Sequence, residues 1–172
     1  HFVFVSTVWV AGHGEEGPPP IDETVAPQPV CLYGLTKYYG ELAIEYYARN
    51  RGLSAVVLRA CGYQRFAGCD AEGEVDWETV DLAALAGRLT SPGGKLFSPG
   101  DLGPVMAAAV SRPEVDFERC LLGLDMPLTA ADAALGRTDP VAAWEKYYPG
   151  AAECFAGIGF TPPPLTYYYS NA

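Results

Sequence analysis

The sequence predicts an α/β fold built on a parallel sheet, and three successive stretches carry that expectation. Phe2 to Val5 is a short, continuously apolar run, the pattern of a strand buried on both faces of a parallel sheet. Leu35, Tyr39, Leu42, Ala43 and Tyr46 recur at helical spacing inside a helix expected over 32–51. Leu53 to Arg59 (L-S-A-V-V-L-R) is again strand-like and β-branched. Strand, loop, long helix and strand make a βαβ unit, whose two strands run parallel.

The elements follow in order. The first strand opens abruptly, and a domain rarely begins inside a central strand, so further residues are expected upstream of His1. His13 to Pro29 reads as a loop rich in Gly, Pro and acid. Gly52 is placed to end the long helix. After the second strand, 74–90 is expected to hold a short helix with Trp77, Val80, Leu82 and Leu85 apolar. Asp101 to Val110 reads as helical, with Pro104 near a first turn. Cys120 to Leu124 reads as a short strand. Thr129-Ala-Ala-Asp132 has the form of a capping box, and Gly136 is expected to close that brief helix. Thr138 or Asp139 caps another, with Pro140 at its first position and Pro149 beyond its end. Pro162 to Tyr169 reads as an extended Pro-rich and Tyr-rich segment.

Composition narrows the function classes. The chain has 172 residues, 49% of them apolar, enough for a globular domain with a sizeable core. Its formal charge is −10, which argues against nucleic acid or an anionic membrane as main partner, since both need Lys/Arg clusters. No apolar run approaches the ~20 residues of a membrane span. The cysteines are Cys31, Cys61, Cys69, Cys120 and Cys154. Five is an odd number and no C-x-x-C occurs, so a disulfide framework or a zinc site is not expected. Reduced thiols in a cytoplasmic protein are the plain reading.

The sharpest chemical signal is Tyr33-Gly-Leu-Thr-Lys37. Residues four apart on a helix share one face, about 6 Å apart along the axis. A free tyrosine, with a pKa near ~10, is a poor base at neutral pH. A nearby ammonium favours the phenolate and lowers that value. Such a pair can deliver or remove a proton at an alcohol or ketone. An isolated Y-x-x-x-K is common by chance, and an aromatic residue beside a solvated lysine is then the simpler account. Context adds weight. Ser6-Thr7 ends the first strand, at the carboxyl edge where open α/β sheets bind ligands, and a hydroxyl there can hydrogen-bond the substrate oxygen. Other candidates are weaker. His13 and the acids Glu15, Glu16, Asp22 and Glu23 read as a solvated loop, and Cys61 as a small buried thiol. No metal site is expected.

These stretches together resemble the extended short-chain dehydrogenases/reductases, the NAD-dependent epimerase/dehydratase family. Phe2 to Gly12 (F-V-F-V-S-T-V-W-V-A-G) is similar to that family's strand and S-S/T-x-x-V-Y-G stretch. Pro20 to Pro29 resembles its loop, with Glu23 matching the loop acid. Tyr33 to Lys37, followed by Gly40-Glu41, resembles its Y-G-x-S-K-x-x-x-E helix, and Gly52 to Arg59 its next strand. The resemblance is weaker after residue 62.

The resemblance implies the C-terminal part of a doubly wound Rossmann-like sheet (residues 1–62), plus part of a small α+β substrate lobe with segments returning to the core (63–172). It implies Tyr33 as acid/base and Thr7 as the catalytic hydroxyl. Lys37 would bind the nicotinamide ribose and tune Tyr33. Ser6 would lie at the cofactor beside Thr7. Ala60, Cys61 and Gly62 would border the nicotinamide with their backbone. The implied cofactor is NAD or NADP, the substrate a sugar nucleotide or related alcohol or ketone, and the partner a second copy docked through the helix carrying Tyr33.

Three departures qualify this. The family's G-x-x-G-x-x-G loop, first strand and ribose-binding acid are not among these residues, so the chain alone is expected to bind NAD(H) poorly and to be inactive. Val8 and Trp9 stand where 4,6-dehydratases carry Asp-Glu, which disfavours dehydration. Cys61-Gly62-Tyr63 lacks the Asn usual after the Leu-Arg strand, which weakens the case for a nucleotide sugar. A non-catalytic binding protein on the same fold, or a piece with no function of its own, stays open at this point.

Overall fold

The structure, a computed structural model, describes residues 1–12, 21–60, 78, 99–123 and 129–164, with 99–101 described by backbone alone. Three parallel strands form the sheet in the order β1 (Phe2–Thr7), β2 (Ala55–Ala60), β3 (Phe117–Leu122). Phe2 pairs with Ala55 and Thr7 with Ala60, and Ala60 continues to Leu122. The three carboxyl ends are therefore level. A single 3-10 turn, Val8–Ala11, follows β1, and the long helix α1 spans Leu32–Arg51. α2 (Pro99–Val110) precedes β3. α3 (Ala130–Thr138), α4 (Pro140–Tyr147) and α5 (Ala151–Gly157) follow. The chain has an α/β fold.

Side-chain alternation divides the core between two faces. On one face Ile44 of α1 packs with Ala55 and Val57, flanked by Phe4, Leu53 and Phe117. On the other, Val56, Leu58 and Leu122 pack with Ala109, flanked by Leu102, Val105 and Met106 of α2. β2 lies between two strands and is covered on both faces, so Ala55 to Arg59 are all buried.

The expectation that Phe2 to Val5 is buried on both faces is not met. β1 has one neighbouring strand among the described residues, leaving Phe2 47% and Val5 37% exposed; the doubly buried strand is β2. Two further expectations shift. Pro104 lies inside α2 rather than near its first turn, because the helix begins at Pro99. Gly136 is buried within α3, which runs on to Thr138. α5 was not anticipated. Its first residue follows Gly150 at φ +92 with no side-chain cap, and Glu153 in its first turn is the one start signal it carries. Apart from residue 78, the expected helix over 74–90 lies outside the described residues, as does the tail beyond Pro164.

The other boundaries have local causes. The Cys31 thiol accepts the Gly34 N–H at the start of α1, and Gly52 ends that helix at φ +67, a left-handed conformation that glycine adopts without a Cβ penalty. Thr129 and Asp132 bond reciprocally as a capping box. Asp139 caps α4, with Pro140 at its first position. No helix among the described residues is long and apolar enough to cross a membrane.

Candidate active site at the carboxyl edge of the sheet

The end of β1 and the start of α1 meet through a backbone contact. A Cβ built on Gly34 would stand 2.5 Å from the Trp9 carbonyl oxygen, so only glycine lets the first turn of α1 approach the 3-10 turn this closely. That contact brings Tyr33, the residue before Gly34, to the end of β1.

Thr7 is buried, at 5% exposure. Its hydroxyl accepts the Trp9 N–H at 3.4 Å and caps the 3-10 turn. Ala60 pairs with it in the sheet. Tyr33 is 54% exposed. Lys37, one turn on, is half-buried, and its ammonium lies 5.9 Å from the centre of the Tyr33 ring and 5.2 Å from that of Phe4. Among the described residues no hydrogen bond joins Thr7, Tyr33 and Lys37. Tyr33 and Lys37 lie one turn apart on α1, beside the end of β1 that carries Thr7.

The Lys37 ammonium is engaged. It donates to the Val5 carbonyl at 3.0 Å. The Phe2 N–H donates to Ser54 of the β2 side, so even-numbered residues of β1 turn their backbone groups toward β2 and odd-numbered ones away. Lys37 thus caps a carbonyl on the outer edge of β1. The opposite edge carries a matching contact. The Ala55 N–H donates to Asp116, which turns Leu121 outward from β3, and the Glu23 carboxylate accepts the Leu121 N–H at 2.8 Å. Glu23, read from sequence as part of a wet loop, therefore ties that loop across the carboxyl ends of the strands.

Ser6 stands apart from Thr7. Its hydroxyl donates to Glu41 at 2.5 Å inside the molecule, among buried charges, so its one proton is committed to the interior. Cys61 and Gly62 lie outside the described residues. Glu41 and Arg59 form a buried ion pair beneath the site. Sequence reading gave Glu41 no role, although its place eight residues after Tyr33 puts it on the same side of α1. Gly12-His-Gly-Glu-Glu-Gly17 has the G-x-G-x-x-G spacing, but Pro18-Pro19-Pro20 follows it, where a phosphate-binding loop needs a helix N-terminus. Residues 13–20 lie outside the described residues.

Residues 1–63 match the family model described as the NAD dependent epimerase/dehydratase family. Over that stretch the chain is similar to this family. The match holds Thr7, Tyr33, Lys37 and Ala60 to Gly62. A UDP-glucose 4-epimerase of Rhizobium meliloti (strain 1021) is 36% identical over 85 residues, which are 49% of this chain and 24% of that protein. Among solved structures, the UDP-N-acetylglucosamine 4-epimerase from Bacillus cereus aligns with 99% of this chain and 53% of its own, at TM-score 0.55 and 17% identity. A short-chain dehydrogenase/reductase superfamily protein from Agrobacterium tumefaciens with bound NAD aligns at TM-score 0.57 and 21% identity, over 99% of this chain and 58% of its own. At these identities the structural likeness shows the fold alone. The chain spans about a quarter of the length of the curated relative it matches and about half of those solved chains.

Proposed function

We propose that this chain carries the proton-transfer half of an NAD(P)-dependent epimerase acting on a sugar nucleotide. The observation that supports it best is the placing of Thr7, Tyr33 and Lys37 at one carboxyl edge, in the stretch that matches the epimerase/dehydratase family. Its similarity to a UDP-glucose 4-epimerase and a UDP-N-acetylglucosamine 4-epimerase favours a UDP-sugar as the substrate class here. The donor set suits one end of a dinucleotide. An exposed phenol and an ammonium four residues apart can take the two hydroxyls of a ribose. The chain spans about a quarter of the length of the curated relative it matches, and a glycine loop of the longer protein would hold the pyrophosphate. The bound dinucleotide would supply the hydride acceptor.

In this reading Tyr33 takes the proton of the substrate hydroxyl as it is oxidised and returns it on reduction. Lys37 stabilises the phenolate through its charge and donates to the ribose. Thr7 donates to the same substrate oxygen. Lys37 must leave the Val5 carbonyl to do this, and a strand paired along the outer edge of β1 would take that carbonyl instead. Residues 1–62 then form the last part of the dinucleotide domain and 63–172 a substrate lobe returning to it. A second copy would dock on the exposed side of α1, where Leu32, Tyr39, Leu42 and Tyr46 stand open; a monomer by sedimentation at micromolar concentration would refute that contact.

The test is made in the full-length enzyme, glycine loop included. Tyr33→Phe removes one oxygen and keeps the ring. Turnover should fall at least ~100-fold, the usual scale for losing a general acid/base. Lys37→Met should lower both rate and cofactor affinity, and Thr7→Val mainly the rate. Tyr38→Phe, off that face of α1, should leave activity intact. Equal activity in Tyr33→Phe and Tyr38→Phe would sink the mechanism and favour a non-catalytic binding protein on this fold.

A further inference from the structure

Few side chains fix α1 against the sheet. Only Gly34, Glu41 and Ile44 of its twenty residues are buried. Gly34 contributes close approach and Ile44 apolar contact, which is non-directional. Glu41 is different. Its carboxylate is 0% exposed, a placement that costs several kcal/mol per ion unless the charge is paired and hydrogen-bonded.

The pairing is dense and joins four elements. Oε1 accepts the Ser6 hydroxyl at 2.5 Å and the Arg59 Nε at 3.0 Å. Oε2 accepts the Arg59 Nη2 at 2.8 Å. Arg119 on β3 brings its Nε to 3.4 Å from Oε2 without a hydrogen bond, while its Nη2 binds Glu45, one turn further along α1. Ser6 and Arg59 are themselves register partners in β1 and β2, and the next pair up is Thr7 and Ala60. Lys37 lies one turn before Glu41 on the helix and Tyr33 two turns before.

We propose that Glu41 is the positioning residue of this site. By binding Ser6 and Arg59 together, it sets the height and rotation of α1 on the sheet, and so the place of Tyr33 and Lys37 against Thr7. Directed hydrogen bonds to two strands fix both coordinates where apolar contact leaves them loose. The inference rests on the catalytic reading above. It gives the buried Ser6 hydroxyl a task distinct from cofactor contact. A misplacement of about 1 Å can cost ~100-fold in rate, so a displaced α1 would be felt first in turnover.

Two variants of the full-length enzyme test it. Glu41→Gln keeps the size of the side chain, but its NH2 cannot accept from Arg59. The double exchange Glu41→Met with Arg59→Met removes both charges, so no unpaired ion stays buried and folding should survive. A purely structural ion pair would then be dispensable. We expect kcat to fall at least ~10-fold in both, with KM for substrate and cofactor rising less than about threefold. The melting temperature of the double variant should stay within about 5 °C of the parent. A kcat within about twofold of the parent in the folded double variant would overturn the proposal, as would a loss confined to KM. Should the double variant fail to fold, the same thresholds apply to Glu41→Gln. Tyr33→Phe is assayed alongside. If it keeps activity, the catalytic reading has failed; if it loses activity while the Glu41 variants do not, only the positioning role has.

Discussion

Two carboxylates are buried on helices in the described part of this chain, and they hold their helices in different ways. Glu41 sits in the third turn of α1 and binds Ser6, 35 residues upstream, and Arg59, 18 downstream. Asp132 sits in the first turn of α3 and binds Thr129, Lys146 and Tyr147, which are 3, 14 and 15 residues away. The first ties a helix to a sheet and exists only once the strands have assembled. The second caps its own helix and reaches the next. The same functional group thus serves tertiary register in α1 and local helix geometry in α3.

The contrast should appear first in stability. Arg59 is 3% exposed, so removing its partner leaves a cation with no solvent. Breaking a buried pair from one side costs about 3–5 kcal/mol. In urea melts of the chain, Glu41→Ala is expected to lose that much. Asp132→Ala leaves Lys146, which is 51% exposed and rehydrates, so its loss should be nearer the ~1 kcal/mol of a helix cap. A smaller loss for Glu41→Ala than for Asp132→Ala would break the comparison.

The same contrast explains what could be read from the sequence. The Thr129–Asp132 box, the Asp139–Pro140 start and the Gly52 stop are legible because their partners lie within a few residues. The βαβ unit was legible through helical spacing and strand order. The burial of Glu41 was not: the sequence matches it to the acid of the Y-G-x-S-K-x-x-x-E pattern, but its partners Ser6, Arg59 and Arg119 come from three separate strands. Glu23 was misjudged for the same reason, since its partner is a backbone N–H 98 residues away. The burial of Phe2 to Val5 was overestimated because an apolar run reports the strand's chemistry and not the number of its neighbours. α5 escaped because its start is a glycine without a capping side chain.

Asp132 offers the finer test, through pH. Hydrogen bonds from Lys146, then Tyr147, then Thr129 hold its carboxyl far below the usual carboxylate range. Burial, with the hydrogen bond to Asp132 next, pushes the Tyr147 phenol up. The carboxylate is the form that the folded state favours, so its contribution is complete above the unfolded value of about 3.9. That contribution disappears as pH falls from there toward the depressed folded value. Asp132→Asn keeps the size and one acceptor oxygen but has no charge to lose. The parent should therefore exceed Asp132→Asn by about 1 kcal/mol near neutral pH. The gap should close as the medium is acidified below about pH 4. Urea melts of both proteins at pH 7, 5, 4 and 3 read this directly. A gap that persists unchanged at pH 3 would mean that packing of the side chain, and not its charge, joins α3 to α4.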